Sequence, residues 1–305
     1  MDIKKNIIET IGNTPMVSLL NIKKKENLKA EIFAKLESFN PGGSAKDRVA
    51  LNMIEKAEKE GRLKPGAAII EPTSGNTGIG IALVAAAKGY RAIMVMPDTM
   101  SVERQKLIKA YGAEVVLTEG AKGMAGSVEK AEELARELPG AIVAGQFDNP
   151  ANPEIHYLTT GPEIYQQTDG NVDILVAGVG TGGTLSGTAK FLREKNPALK
   201  VIAVEPYDSP LISKGIAGPH KIQGIGANFI PENLDKDVID EVITVSTEEA
   251  METMRALAVE EGIFAGISSG AALHAAITMA KRDENKGKNI VVIIVDTGER
   301  YLSTL

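Results

Sequence analysis

The chain has 305 residues, 43% apolar and 24% charged, with a net charge of -6. That length suffices for one large or two ordinary globular domains, and the acidic balance argues against a nucleic-acid partner or an anionic membrane surface. Without cysteine there is no disulfide, zinc–thiolate site or thiol nucleophile; the three histidines, at 156, 220 and 274, are scattered and suggest no metal site; and neither a signal peptide nor a spanning helix is visible, so a cytoplasmic enzyme is the starting expectation.

Asn40-Pro-Gly-Gly-Ser-Ala-Lys-Asp-Arg48 opens the first helical pattern. Ser44 is the expected N-cap, Asp47 follows three residues on, and Val49, Ala50, Met53, Ile54 and Ala57 recur at helical spacing until Gly61. Lys46 is out of place there, because the helix dipole favours anions at that end. A cation held in such a position has a depressed amine pKa, and a neutral amine forms Schiff bases, as pyridoxal phosphate enzymes require of one lysine. A solvated surface lysine is the plain alternative.

Short apolar runs then alternate with amphipathic stretches. Strands are expected at 67–71, 91–96, 113–117, 141–144, 172–178, 201–205, 241–245 and 290–296, and helices at 102–111, 127–138 and 247–261. The alternation predicts an α/β fold with parallel sheets covered by helices on both faces. Ile290-Val-Val-Ile-Ile-Val295 is apolar on both faces, as a central strand should be. Residues 145–153 read as a turn-rich connection and 207–230 as a long glycine-rich loop of functional or purely structural use.

Three further glycine-rich segments follow strands or open helices. In Glu71-Pro-Thr-Ser-Gly-Asn-Thr-Gly78 the amides of a helix start and the hydroxyls of Thr73, Ser74 and Thr77 suit a carboxylate, and Asn76 offers a donor and an acceptor to a ring substituent. A hydroxyl-capped strand-to-helix turn has the same composition. Gly178-Val-Gly-Thr-Gly-Gly-Thr184 forms an amide nest for a phosphate. Gly178, Gly180 and Gly183 also satisfy the dinucleotide fingerprint, with Glu205 lying 22 residues beyond Gly183, where an NAD ribose would want a carboxylate. That fingerprint normally opens its domain, however, and leaves Lys46 and residues 71–80 unexplained, whereas a monophosphate cofactor accounts for all three. In Gly266-Ile-Ser-Ser-Gly270 a serine hydroxyl can meet a ring nitrogen or serve as an ordinary N-cap.

With these segments in this order, the chain resembles the β-family (fold type II) of pyridoxal phosphate enzymes and, within it, the cysteine synthase (O-acetylserine sulfhydrylase) family. The likeness runs end to end and includes Ile11-Gly-Asn-Thr-Pro15, Gln146-Phe-Asp-Asn-Pro-Ala-Asn-Pro153, His220-Lys-Ile-Gln-Gly-Ile-Gly226 and Gly298-Glu-Arg-Tyr-Leu-Ser-Thr304. It implies two three-layer α/β domains with the cofactor in the cleft between them. Residues 1–12 and 36–148 would form a smaller N-terminal domain that moves on substrate binding, and 13–35 and 149–305 a larger C-terminal one. It also implies that Lys46 carries the cofactor and acts as acid and base at the substrate α-carbon, and that Gly180, Thr181, Gly182, Gly183 and Thr184 hold the phosphate. Asn76 would contact the ring hydroxyl and Ser268, with Ser269 adjacent, the pyridine nitrogen. Thr73, Ser74, Asn76, Thr77 and Gln146 would bind the substrate carboxylate, with Gly224 in the loop lining the amino-acid site.

A serine hydroxyl cannot keep the ring nitrogen protonated as an aspartate would, and that weaker electron sink favours β-elimination. The implied reaction is therefore β-replacement by a transferase: O-acetyl-L-serine and sulfide to L-cysteine and acetate through an aminoacrylate. Siblings of the same class are cystathionine β-synthase and sulfhydrylases using O-phosphoserine or thiosulfate, the former of these needing an extra cation such as Arg104, Lys214 or Lys221. A homodimer is implied, as is docking of the C-terminal tail of serine acetyltransferase; a role mainly as that enzyme's regulatory partner is the reading from another class. Ala45 in place of valine and Asp296-Thr-Gly298 in place of a serine-rich run depart from the family pattern, and a tail shortened relative to family members is expected at Leu305.

Overall fold

The computed structural model describes residues 1, 3–100 and 102–304. They divide into two compact units, one of residues 1–11 and 40–152, the other of residues 12–39 and 153 onward. The chain thus passes between units at 11/12, 39/40 and 152/153, where the family resemblance implied 12/13, 35/36 and 148/149.

Residues 12–39 supply β1 (Met16–Ser18), α1 (Leu20–Glu26) and β2 (Glu31–Leu36) to the second unit. Residues 40–152 run α2 (Lys46–Lys59), β3 (Ala68–Pro72), α3 (Asn76–Lys88), β4 (Arg91–Pro97), α4 (Val102–Ala110), β5 (Glu114–Thr118), α5 (Gly123–Glu137) and β6 (Ile142–Val143). A helical run then passes through α6 (Ala151–Ile155), a π-turn (His156–Thr160) and α7 (Gly161–Gln167). It is followed by β7 (Ile174–Gly178), α8 (Gly183–Lys195), β8 (Lys200–Pro206), α9 (Leu211–Lys214), β9 (Glu241–Val245), α10 (Thr247–Glu261), α11 (Ile267–Lys281) and β10 (Asn289–Ile294).

The first unit is built on a four-stranded, wholly parallel sheet in the order β5-β4-β3-β6. Ala68 and Ile70 of β3 and Ile93 and Val95 of β4 bury one face against Ala131 of α5. Met94 points the other way, toward Gly78 of α3. The second unit has a six-stranded sheet, β1-β2-β10-β7-β8-β9, parallel except for β1. Central β10 shows why its sequence is apolar throughout: Ile290, Val292 and Ile294 pack with α11, while Val291 and Ile293 pack on the opposite face with Leu185 and Leu192 of α8. Each such side chain contributes about 1.5–3 kcal/mol on burial. The strand positions of the alternating pattern are met with shifts of a residue or two at the ends. In both sheets the glycine-rich segments leave the carboxyl ends of parallel strands, where open α/β sheets bind ligands.

Candidate active site

In the first unit the lysine segment folds around two side chains. Asp47 is fully buried, and its carboxylate accepts the Gly42 amide at 2.5 Å, which closes the Pro41–Gly43 turn onto the start of α2. Ser44 is not the N-cap expected from sequence. Ala45 holds that position without a side-chain cap, and the Ser44 hydroxyl accepts the Lys46 amide at 3.2 Å instead. Lys46 is therefore the first residue of α2. A side chain on Gly80 would put its Cβ 2.9 Å from the Lys46 carbonyl oxygen and 3.2 Å from Ala50 Cβ. That bare position lets α3 lie against the Lys46 turn, so Lys46 and the start of α3 are held in one rigid contact.

The 71–80 segment leaves β3 and opens α3 at Asn76. The Thr73 hydroxyl accepts the Gly75 amide at 3.2 Å, and the Thr77 hydroxyl donates to Gln146 Oε1 at 2.6 Å. Gln146 itself rests on Glu71. That carboxylate accepts the amides of Gly145 and Gln146 at 2.8 and 3.3 Å. Burial pushes its carboxyl up to about 7, helped by Asp148, while the donors from Gly145 and from the Gln146 backbone and side chain pull the other way. The Asn-Pro-Ala-Asn run explains itself here, since Asn152 Nδ2 donates to the Gln146 carbonyl and Asn149 Nδ2 to that of Ala144. Thr73, Thr77 and Gln146, with Ser74 and Asn76 on the same turn, thus form one cluster. Arg104 reaches the Ser74 carbonyl at 3.4 Å, whereas Lys214 lies over the Tyr207 ring and Lys221 is exposed.

In the second unit the 178–184 segment leaves β7 and opens α8 at Gly183. The first-turn amides of α8 point out of its N-terminus, beside the hydroxyls of Thr181 and Thr184. Gly182 has φ +82°, and a Cβ on it would lie 2.7 Å from Leu234 Cα. A Cβ on Gly180 would overlap the Gly224 carbonyl oxygen, and one on Gly224, at φ +96°, would come 3.5 Å from Ser268 Oγ. The 178–184 loop, the 220–226 loop and Ser268 therefore converge. Gly226 N donates to Val179 O at 3.0 Å and His220 Nε2 to the Gly226 carbonyl at 2.8 Å, which fastens that loop to the end of β7.

Ser268 and Ser269 take different tasks. Ser269 Oγ accepts the Val295 amide at 2.9 Å, which leaves Ser268, the second residue of α11, as the hydroxyl beside Gly224; the helix is capped by Gly266 and not by a serine. Glu205, the residue a dinucleotide would use, is committed elsewhere: its carboxylate accepts the amides of Ile212 and Ser213 at 2.7 and 3.1 Å and the Ser213 hydroxyl at 2.5 Å. Asp296 accepts the Tyr301 hydroxyl at 2.6 Å and is buried.

A model of the family described as pyridoxal-phosphate dependent enzyme matches residues 7–296. The chain belongs to this family. Among curated relatives of this pyridoxal-phosphate dependent enzyme, "Cysteine synthase" of Staphylococcus aureus (strain Mu50) is 56% identical over 300 residues, 98% of this chain and 96% of the relative. Among solved structures, cysteine synthase of Entamoeba histolytica superposes with a TM-score of 0.96 at 50% identity, covering 99% of this chain and 90% of that one. A hydrogen sulfide-producing enzyme of Fusobacterium nucleatum gives 0.95 at 48% identity, with 99% of both chains covered. An O-ureido-L-serine synthase gives 0.95 at 47%, covering 99% of this chain and 95% of that one. The fold is that of the fold type II enzymes, and the cofactor is pyridoxal phosphate.

The residues present fit that cofactor. The glycine nest and α8 N-terminus suit a monophosphate, the bare Gly180 lets the 220–226 loop close onto that nest, and Ser268, beside Gly224, is a neutral hydroxyl of the kind a ring nitrogen would meet. Two residues that hold these clusters in place escaped sequence reasoning. Glu71 opens the 71–78 motif, but its partners lie at 145 and 146, and the pairing of His156 with Thr184 depends on a contact 28 residues away.

Proposed function

We propose that this protein is a cysteine synthase that converts O-acetyl-L-serine and sulfide into L-cysteine and acetate. The observation that carries the reading is identity of more than half, over nearly the whole chain, with cysteine synthase, joined to a lysine that opens α2 directly against α3. Pyridoxal phosphate supplies an electron sink that acidifies the substrate α-carbon. Lys46 carries the cofactor, then removes the α-proton as a general base and returns one later. Thr73, Ser74, Asn76, Thr77 and Gln146 bind and orient the substrate carboxylate through the α3 amides, hydroxyls and amide groups. Gly180 to Thr184 grip the phosphate, Ser268 meets the ring nitrogen without protonating it, and the Gly224 loop lines the amino-acid site. Acetate leaves the β-carbon and sulfide takes its place. The same reading makes the protein a cytoplasmic homodimer able to receive a serine acetyltransferase C-terminal tail.

The test is the visible spectrum of the purified protein before and after O-acetylserine, with sulfide added last. A cofactor band that shifts with O-acetylserine and recovers as cysteine and acetate appear is expected, together with loss of the band's response in Lys46→Ala. A band indifferent to O-acetylserine overturns the substrate, and no band in protein supplied with pyridoxal phosphate overturns the site.

A further inference from the structure

The helical run from Ala151 to Gln167 is interrupted at His156–Thr160 by a π-turn. Such turns are rare and concentrate at functional sites, because each inserts an extra residue into a helix and redirects the side chains around it. Here the redirected side chain is His156. It is fully buried, with Nδ1 2.9 Å from the Thr160 hydroxyl and Nε2 3.1 Å from the Thr184 hydroxyl. The neighbouring packing leaves it little room. A Cβ on Gly187 would overlap the Pro153 carbonyl oxygen and come 2.9 Å from both His156 Cβ and Tyr157 N, and one on Gly161 would come 2.8 Å from Phe191 Cβ. Helix α8 is therefore keyed to the start of the π-turn and to the residue that follows it, one and two turns beyond Thr184.

A neutral imidazole carries one N–H, and the two tautomers give Thr184 opposite polarity. With the proton on Nδ1, the ring donates to Thr160, and Nε2 accepts a hydrogen bond from the Thr184 hydroxyl. The Thr184 oxygen then presents only lone pairs to the loop, which repel a phosphate. With the proton on Nε2, the ring donates to Thr184 Oγ1, Thr160 donates to Nδ1, and the Thr184 proton is turned outward as a donor. We propose that His156 is the positioning residue that makes the Thr184 hydroxyl a donor to the cofactor phosphate, and that binding of the phosphate selects the Nε2–H form. This rests on residues 180–184 being the phosphate cradle. His156 itself does not touch the cofactor in this arrangement.

A histidine that merely fills the core makes a different prediction, and the two separate on the phosphate group alone. Apoprotein is titrated with pyridoxal 5'-phosphate and, separately, with pyridoxal, which lacks the phosphate. Relative to wild type, His156→Phe is expected to bind pyridoxal 5'-phosphate about 10- to 100-fold more weakly, the worth of one hydrogen bond to a charged acceptor, while its affinity for pyridoxal changes less than about twofold. His156→Gln, whose amide N–H can stand in for Nε2–H, should restore most of the difference. Equal losses for both ligands, or no loss, overturn the proposal. Should wild-type protein bind pyridoxal 5'-phosphate no more tightly than pyridoxal, the cradle itself is refuted and the role of His156 falls with it. A measurement without substitution guards against a variant that does not fold. The chain has only three histidines, so the imidazole nitrogen resonances of wild-type protein are assignable. Protonated Nε2 on His156 with cofactor bound supports the proposal; an Nδ1–H tautomer in the loaded protein overturns it.

Discussion

Glu71 is buried in the first unit, where its carboxylate accepts the amides of Gly145 and Gln146. Its carboxyl is raised by burial from 4.5 to about 7, so the folded protein retains a proton that the unfolded chain has already released. This contribution to stability is fully present below about 4.5 and is lost as pH rises through about 7. Wild type should therefore lose ground to Glu71→Gln between pH 5 and 8, by up to about 3 kcal/mol, in denaturant unfolding compared at each pH. A difference that stays flat across that range would contradict the assignment. Residues of this kind are hard to read from sequence for a physical reason. The glycines and hydroxyls of 73–77 and 180–184 announce themselves because they stand one after another, in the local pattern that a ligand-binding turn is expected to have. Glu71 and His156 work through partners 74 and 28 residues away, and no local pattern encodes a hydrogen bond across such a gap.

Among the elements, the crossing of α2 and α3 is the one that fixes the Lys46 backbone, at Gly80. Replacing Gly80 by alanine gains up to about 1 kcal/mol of helix propensity, but forces a Cβ against the Lys46 carbonyl oxygen, an overpacking that costs about 1–3 kcal/mol. Net stability should drop by no more than about 2 kcal/mol, while turnover falls disproportionately, because the displaced atom belongs to Lys46, the residue proposed to carry the cofactor. Thermal unfolding and steady-state rates on Gly80→Ala check this, and a stable variant with full turnover would refute it. Elements with continuous or periodic apolar runs, such as β3, β10 and α10, were legible in the sequence. Others were not. Strand β2 carries Lys35 at a fully buried position, and this looks impossible until Glu163, 2.7 Å away, Gln167 and the Thr14 carbonyl are seen to satisfy the ammonium. In the 151–167 run, Pro153 and Pro162 obscure a helix that the π-turn further disrupts.

Across the molecule, each compact unit draws on two separate stretches of chain, and only the resemblance of the whole sequence to a known family suggested that arrangement; periodicity alone gave a linear succession of strands and helices. The six-stranded sheet shows what the crossing entails. β2 pairs with β1 on one side and with β10 on the other, in a register that runs from Asn289 against Glu31 to Ile294 against Leu36. On the ribosome this is a long wait. At about 5–20 residues per second, β2 is made roughly 13 to 50 s before its parallel partner exists. Through that interval the chain carries an apolar strand, with Ile32, Phe33, Ala34 and Leu36, that has one completed edge and one open edge, whereas all four strands of the smaller sheet are made before the interval is half over, by Val143. Limited proteolysis of stalled nascent chains should find residues 12–39 cleavable in chains that end before residue 289 and protected once 294 has emerged; early protection would mean that another segment holds β2 in the meantime. The last strand to be made is thus the one that commits the second, and newly synthesised protein depends on whatever shields that open edge until the closing strand arrives.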